Sequence, residues 1–214
     1  MMGYSAVVWG LWIGGSLLLG SVMFCRLIPR LLAGRDPADL SPDRNPGAAN
    51  VFIHCGVPMG LLCLALDMAK GFVPVFWGMR VLDWRQLPFA AVLAAPVLGH
   101  ALAPLNRFHG GKCIATSFGV LLGLLPTSYM VLVLAGLYIF FSVAVKIHPN
   151  RYRSMLTFFL FGLVCALHFI PDGDYSLGLG CCLVAAIACL RHTRFFCVVP
   201  DAEPKPSVIR HSAE

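Results

Sequence analysis

Charge is what this chain has least of. Only 12% of its 214 residues are Asp, Glu, Lys or Arg and 58% are hydrophobic, whereas roughly a quarter of a soluble domain is charged. With a mean hydropathy of +0.80, that scarcity excludes a soluble globular domain and indicates an integral membrane protein. Strict polar–apolar alternation is missing as well, which argues against a membrane β-barrel, whose lipid-facing strands require it. None of the nine cysteines forms a C-x-x-C pair, the spacing of many zinc sites. No cluster of His, Cys and carboxylates has ligand spacing, so neither a metal nor another cofactor is expected. The cysteines lie in apolar stretches (Cys25, Cys63, Cys165, Cys181, Cys182, Cys189) or on the face read below as cytoplasmic (Cys55, Cys113, Cys197), and read as small core residues. Met1-Met2-Gly3-Tyr4 lacks the basic n-region of a cleaved signal peptide, so the first apolar stretch is expected to stay as a helix. No repeat or long linker is visible: residues 1–200 read as one transmembrane domain and 201–214 as a short polar tail.

Apolar stretches are what the chain has most of. Seven recur, at Tyr4 to Leu27, Val57 to Trp77, Leu87 to Leu105, Cys113 to Leu125, Tyr129 to Val145, Met155 to Ile170 and Leu177 to Leu190. About 20 helical residues cross a hydrocarbon core. The fold expected is therefore an all-α membrane protein of about seven transmembrane helices, with the short fourth segment either re-entrant or packed inside the bundle.

Basic residues set the orientation, because Lys and Arg collect in cytoplasmic loops. With the N-terminus outside and the C-terminus cytoplasmic, the inner segments hold Arg26, Arg30, Arg35 and Arg44, then Arg107 and Lys112, then Lys146, Arg151 and Arg153, and finally Arg191, Arg194, Lys205 and Arg210. The outer loops keep only Arg80 and Arg85. A multi-pass protein of the cell membrane with its long polar loops, and hence any polar site, on the cytoplasmic face follows. The net charge of +6 suits a face against anionic lipid and requires no nucleic-acid partner.

Two loops on that face could hold an anion. Asn106-Arg107-Phe108-His109-Gly110-Gly111-Lys112-Cys113-Ile114-Ala115-Thr116 runs from a cationic glycine-rich turn into an apolar helix. Its glycines would let backbone N–H groups approach an anion, beside a positive helix N-terminus and the Lys112 charge. In Ser41-Pro42-Asp43-Arg44-Asn45-Pro46-Gly47-Ala48-Ala49-Asn50-Val51, the Asn-Pro pair suits the N-cap and first turn of a second helix. Two helix termini with Arg44, Lys112 and His54 between them would form a pocket for a phosphorylated ligand. Shaping of turns and contact with lipid headgroups is the alternative. Asp67 and Lys70, at i and i+3 within the second segment, are intramembrane charges and so functional candidates, but a helix-joining ion pair is the favoured reading, as is that of buried hydrogen-bonders rather than ligands for His100 and His168.

These residues resemble the PlsY family, the integral-membrane acyl-phosphate:glycerol-3-phosphate acyltransferases. The likeness rests on Gly20-Ser21, Gly34, Asp36, Asn45, Gly47-Ala48, Asn50-Val51, Asp67, Lys70-Gly71 and Pro74-Val75. It continues through Gly99-His100, Pro104, Phe108, Gly110-Gly111-Lys112, Ala115-Thr116 and Gly119, and more weakly through Leu190-Arg191-His192 and Glu203-Pro204-Lys205. It implies a seven-helix fold whose cytoplasmic site transfers a fatty acyl group from acyl phosphate to the 1-hydroxyl of glycerol 3-phosphate, giving lysophosphatidic acid, with a phosphate oxygen of the substrate as proton acceptor. No histidine stands in the H-x-x-x-x-D spacing of other glycerolipid acyltransferases, Asp172 being one residue too near His168. Catalysis would fall to Lys112 with the Gly110 and Gly111 amides. Substrate would be bound by Arg44, Asn45, Gly47, Asn50, His54, Ser154, His192 and Arg194.

The resemblance has gaps. Where the family reads Gly-Ser-Gly-Asn, this chain reads Ser41-Pro42-Asp43-Arg44-Asn45, and two polar family positions fall on Ile53 and Phe195. An acyltransferase with another acceptor, or a non-catalytic or transport protein on the same fold, therefore stand as alternatives.

Overall fold

The computed structural model describes residues 5–193. The chain is helical, with no strand among the described residues. Among the described residues ten α-helices follow in order: α1 Ala6–Gly20, α2 Phe24–Ala33, α3 Pro37–Leu40, α4 Ala48–Cys55, α5 Val57–Val81, α6 Phe89–Leu102, α7 Ile114–Gly123, α8 Met130–Ile139, α9 Asn150–Phe169 and α10 Tyr175–Arg191. A 3-10 turn, Pro104–Asn106, extends α6, and a π-helical stretch, Phe140–Ala144, extends α8.

α5 is the centre of one side, packed on α7 and touched by α4, α2 and α1, while α6 is gripped between α1 and α10, and α9 packs on α10. Phe89, Val92 and Leu93 of α6, Leu121 and Leu124 at α7, Phe158 and Phe161 of α9, and Leu177 and Val184 of α10 are fully buried or nearly so. Outward faces are apolar as well, with Leu11 73% and Leu167 69% exposed, as lipid-facing surfaces should be. Small residues set the α5–α7 approach. A Cβ on Gly119 would strike the Met68 carbonyl and one on Gly71 the Thr116 carbonyl, so glycine lets the two backbones touch.

Three helices, Val57–Val81, Phe89–Asn106 and Asn150–Phe169, are individually long and apolar enough to span a membrane, and the α1–α2 pair makes up to four. Ile114–Gly123, Met130–Ala144 and Tyr175–Arg191 are shorter. At 10 residues, α7 reaches only about 15 Å of a core about 30 Å thick, in keeping with a segment packed inside the bundle.

The expected first span, Tyr4 to Leu27, is corrected by a break: α1 ends at Gly20, and α2 leaves it with a bend of 47°. A distant residue explains the break. Buried Lys70 donates from Nζ to the Val22 carbonyl at 2.6 Å, satisfying a backbone group that the helix has released. The same ammonium lies 2.8 Å from the Asp67 carboxylate, which also accepts a bond from Cys25 Sγ at 3.1 Å. The i, i+3 pair thus fastens the start of α2 to α5. Beyond the break α2 turns amphipathic, exposing Leu27, Leu31 and Leu32 while Arg26 and Arg30 bind the Asp36 carboxylate, the character of an interfacial helix.

Three further expectations change. The stretch from Ile28 to Gly56 is mostly helical, containing the rest of α2 together with α3 and α4. The helix expected to begin at Asn45-Pro46 begins two residues later, with Gly47 as N-cap, because Asn45 is held in a turn by Asp43 and its own carbonyl accepts from the Gly47 N–H. His168 is exposed at the side of α9, its ring edge-on to Phe169 at 4.8 Å.

Candidate active site

A cavity of about 750 Å³ opens where α4, α5, α7 and α9 converge, within the range of small-molecule sites. One wall is the start of α4, from Gly47 to Asn50, with Asp43 and Asn45 before it; the facing wall is the start of α7, with Lys112, Cys113, Ile114 and Ala115. Two helix N-termini therefore meet at one cavity, each with amides that lack an intrahelical acceptor. α9 contributes Asn150, Arg151, Arg153 and Ser154, and His192 closes the end of α10. Phe52, Ile53, Leu64, Met68 and Phe118 form an apolar side continuous with these polar groups.

Lys112 is not a bare cation. Its Nζ lies 2.9 Å from Asp43 Oδ2. The other oxygen of Asp43 accepts from Asn50 Nδ2 at 2.9 Å and the Asn45 amide at 3.2 Å, and Asn50 also donates to the Asn45 carbonyl at 2.8 Å. Burial raises the pKa of Asp43, but the Lys112 bond and charge with the Asn50 and Asn45 donors outweigh it and hold the carboxyl below its ordinary value. Cys113 beside Lys112 is buried, its Sγ directed at the Val97 and Gly111 carbonyls at 3.6 Å.

His192 is 5% exposed. Its Nδ1 lies 2.8 Å from the Ala188 carbonyl; since a carbonyl only accepts, Nδ1 carries the proton. Nε2 is buried with no hydrogen-bond partner. Burial first, and then the Lys112 and Arg191 charges, lower its pKa against the opposing pull of the Ala188 bond, so the ring is neutral near pH 7 and Nε2 offers a lone pair.

Of the residues expected at the site, Asn45, Gly47, Asn50, Lys112, Ser154 and His192 line this cavity. Gly110, Gly111, Arg44 and His54 do not. Arg194 and Phe195 lie outside the described residues, as do Cys197 and the tail. The glycine pair needs a correction. The Gly111 amide donates to the His100 carbonyl at 3.1 Å, and the Gly110 and Gly111 carbonyls accept from Arg191 at 2.8 and 3.1 Å. A Cβ would hit the Ala101 carbonyl at Gly110 and the His100 ring at Gly111. The two glycines let the loop lie flat on the end of α6, and it is the first residues of α7, Ile114 and Ala115, that line the cavity instead. Arg44 is exposed in a left-handed turn (φ 46°), and on α4 it is Ile53, not its neighbour His54, that reaches the cavity. His100 is buried, but its Nδ1 has no hydrogen-bond partner.

Sequence reasoning missed Asp43, Asp67, His100, Asn150, Arg151 and Arg153 as residues of the cavity lining. A signal was present in the last three, since Asn150-Arg151-Tyr152-Arg153-Ser154 is a dense polar stretch opening an apolar helix.

Fold and site together define a helical membrane protein with one cavity that joins helix N-termini and cations on one side to an apolar wall on the other. Residues 10–196 match the family model for glycerol-3-phosphate acyltransferase, and the chain belongs to that family. A glycerol-3-phosphate acyltransferase of Hydrogenobaculum sp. is 30% identical over 177 residues, 82% of this chain and 85% of that one; one of Syntrophotalea carbinolica is 31% identical over 82% and 85%. The relatives from Nitratidesulfovibrio vulgaris, Desulfovibrio desulfuricans and Pseudoalteromonas translucida are matched over only 37%, 50% and 64% of their own lengths. Crystal structures of PlsY, an integral membrane glycerol 3-phosphate acyltransferase, share the fold in their lysophosphatidic acid and glycerol 3-phosphate forms. TM-scores are 0.71 and 0.72 at 23% identity, covering 86% of this chain and 88% of that one.

Proposed function

We propose that this chain is a membrane acyltransferase that moves a fatty acyl group from acyl phosphate to the 1-hydroxyl of glycerol 3-phosphate, giving lysophosphatidic acid for phospholipid synthesis. The observation that carries this reading is the joining of two environments in one cavity: helix N-termini with Lys112 and Arg153 on one side, and Phe52, Leu64, Met68 and Phe118 on the other. A lipid-like donor with a charged head and a soluble phosphorylated acceptor need that combination. The cavity faces the cytoplasm in the orientation the basic residues favour, within a single domain over residues 1–200.

Acyl phosphate is an activated mixed anhydride, so the protein need only align the hydroxyl and stabilise developing charge. The acceptor oxygen bonds to the carbonyl carbon, the bond from that carbon to the phosphate oxygen breaks, and the hydroxyl proton leaves on the released phosphate. Lys112 and the first amides of α7 stabilise the oxyanion, while Asn45, Gly47 and Asn50 shape the facing wall. Ser154 and His192 meet the acceptor.

The test is purified protein supplied with palmitoyl phosphate and glycerol 3-phosphate, and separately with palmitoyl-CoA. Lysophosphatidic acid from acyl phosphate alone is the expected result. Absence of product from either donor rejects the reading. A second reading, transfer to a different hydroxyl acceptor, is favoured by apolar Ile53 on the cavity wall and by the internal neutralisation of Lys112; an acyl ester formed with glycerol or a lysolipid but not with glycerol 3-phosphate identifies it.

A further inference from the structure

The cations around the cavity are not equivalent. Lys112 is matched by Asp43 at 2.9 Å, and buried Lys70 behind the wall by Asp67 at 2.8 Å. Arg151 reaches the Tyr152 hydroxyl at 3.2 Å and lies over its ring. Arg153, one turn into α9, is different. Its side chain makes no hydrogen bond and no ion pair among the described residues, and its Nε is sealed from solvent without a partner. A guanidinium in that state lacks the anion it is shaped for.

A second group at the same place lacks a partner too. His192 is 95% buried by its 5% exposure, and its Nε2 is unpaired on the cavity wall. Ser154, next in sequence to Arg153, is buried on that wall. The two carboxylates of the lining are both taken, Asp43 by Lys112 and Asp67 by Lys70, and neither forms an ion pair with α9 among the described residues. The α9 side thus offers a guanidinium, a hydroxyl and an imidazole without any carboxylate facing them.

We propose that Arg153 is the residue that grips the phosphate of the acceptor, in a subsite formed with Ser154 and His192 at the start of α9, so that phosphate recognition sits across the cavity from the α4 wall where Ile53 stands. This assignment rests on the acyltransferase reading for the identity of the ligand. The chemistry it names is a phosphate monoester, held through a planar fork of N–H donors and keeping one proton that it shares with the His192 Nε2 lone pair, with the hydroxyl to be acylated directed toward Lys112 and the start of α7. It also accounts for an apolar residue at position 53, since the cavity's uncommitted cation already comes from the opposite wall.

The experiment uses the full chain in detergent. Equilibrium binding of radiolabelled glycerol 3-phosphate and of inorganic phosphate is measured for the wild type, Arg153→Gln, Arg153→Lys and Arg153→Gln/Ile53→Arg, with monodispersity on gel filtration required of each. The expected result is a loss of tenfold or more in affinity for both phosphates in Arg153→Gln, an intermediate value for Arg153→Lys and recovery in the double variant. In turnover, KM for glycerol 3-phosphate rises by the same factor while KM for acyl phosphate stays within twofold. Unchanged phosphate affinity in monodisperse Arg153→Gln overturns the subsite, even where the wild type makes lysophosphatidic acid. Phosphate binding that depends on Arg153 in a wild type that never acylates glycerol 3-phosphate upholds the phosphate subsite and rejects glycerol 3-phosphate as the acyl acceptor. A wild type that binds neither phosphate overturns the subsite outright. Should Arg153→Gln fail to stay monodisperse, Arg153→Lys decides: wild-type affinity for both phosphates overturns the subsite and a several-fold loss supports it.

Discussion

Lys112 Nζ and Asp43 Oδ2 face each other at 2.9 Å across the cavity mouth, so the cation of the glycine-rich loop is answered by an anion 69 residues away in the chain. The pair is about one third exposed, 33% and 27%, and solvent screens it to at most about 1 kcal/mol. An incoming phosphate must compete with a carboxylate that also organises the α4 loop.

Asp43→Asn separates the two roles. The amide oxygen still accepts from Asn50 and the Asn45 amide, whereas the anion opposite Lys112 is gone. The expected outcome is a fall in KM for acyl phosphate of up to about fivefold, the equivalent of about 1 kcal/mol. Asp43→Ala, which also removes the loop acceptor, should raise KM instead. Steady-state kinetics on both variants checks the contrast.

Lys112→Ala should lower kcat by about 10²- to 10³-fold, the usual loss for one donor to a developing oxyanion. It also strands Asp43, so part of the effect could be structural. Lys112→Ala/Asp43→Asn removes that ambiguity: thermal stability returns toward wild type and activity does not. Recovery of activity in the double variant would refute a catalytic role for Lys112.

The helical character of the apolar stretches was legible because continuous apolarity needs no partner to be read, and the two helix starts that line the cavity lie within two residues of where their turn chemistry put them. What was hidden depends on residues far apart in sequence. The break between Gly20 and Phe24 occurs in an unbroken apolar run, and only Lys70, 48 residues on, explains it. Gly110 and Gly111 were found in the right loop and given the wrong task, since the surfaces that demand glycine there are His100 and Ala101, and the cation that takes their carbonyls is Arg191. Arg153 reads locally as one more basic residue of a cytoplasmic loop; its lack of a partner is a property of the folded cavity.

The buried pair of α5 gives a stability test. Asp67→Leu leaves the Lys70 ammonium buried against the Val22 carbonyl without its counterion, which should cost about 3–5 kcal/mol. Asp67→Leu/Lys70→Met removes both charges and should recover most of that, though not all, because the Val22 carbonyl loses its donor. Melting in detergent, followed by intrinsic fluorescence, ranks the three proteins; a double variant no better than the single one would contradict this account of the pair.

Glycine at the α5–α7 crossing can be tested against glycine on a free face. Gly119→Ala places a methyl group against the Met68 carbonyl, a backbone atom that cannot swing aside, whereas a Cβ on Gly136 meets nothing within 4 Å. Gly119→Ala should destabilise by about 1–3 kcal/mol or more and disturb the cavity wall at Met68 and Ile114. Gly136→Ala should be neutral or slightly stabilising, by up to about 1 kcal/mol from helix propensity. Equal melting temperatures for the two variants would show that the helices do not cross this closely.

His192 makes stability depend on pH in a direction that can be worked out. Its folded pKa lies below the ordinary value of 6.5 because burial disfavours the imidazolium, so in the window below about 6.5 the unfolded chain binds the proton that the folded chain refuses. Stability then rises with pH through that window, is fully present above it and is lost as pH falls. Asp43 acts in the same direction at lower pH: its lowered pKa stabilises the fold above the ordinary carboxylate range and ceases to do so as the pH drops through the folded value. Comparing melting temperatures at pH 7.5 and 5.5 for wild type and His192→Gln isolates the histidine, because every other group cancels in the difference. The wild type should lose more on acidification than the variant. A saturating phosphorylated substrate should shrink that loss, since an anion beside Nε2 favours the protonated ring and raises its pKa toward the unfolded value. Were the loss equal in both proteins, the Nε2 lone pair would be open to solvent and not enclosed in the cavity.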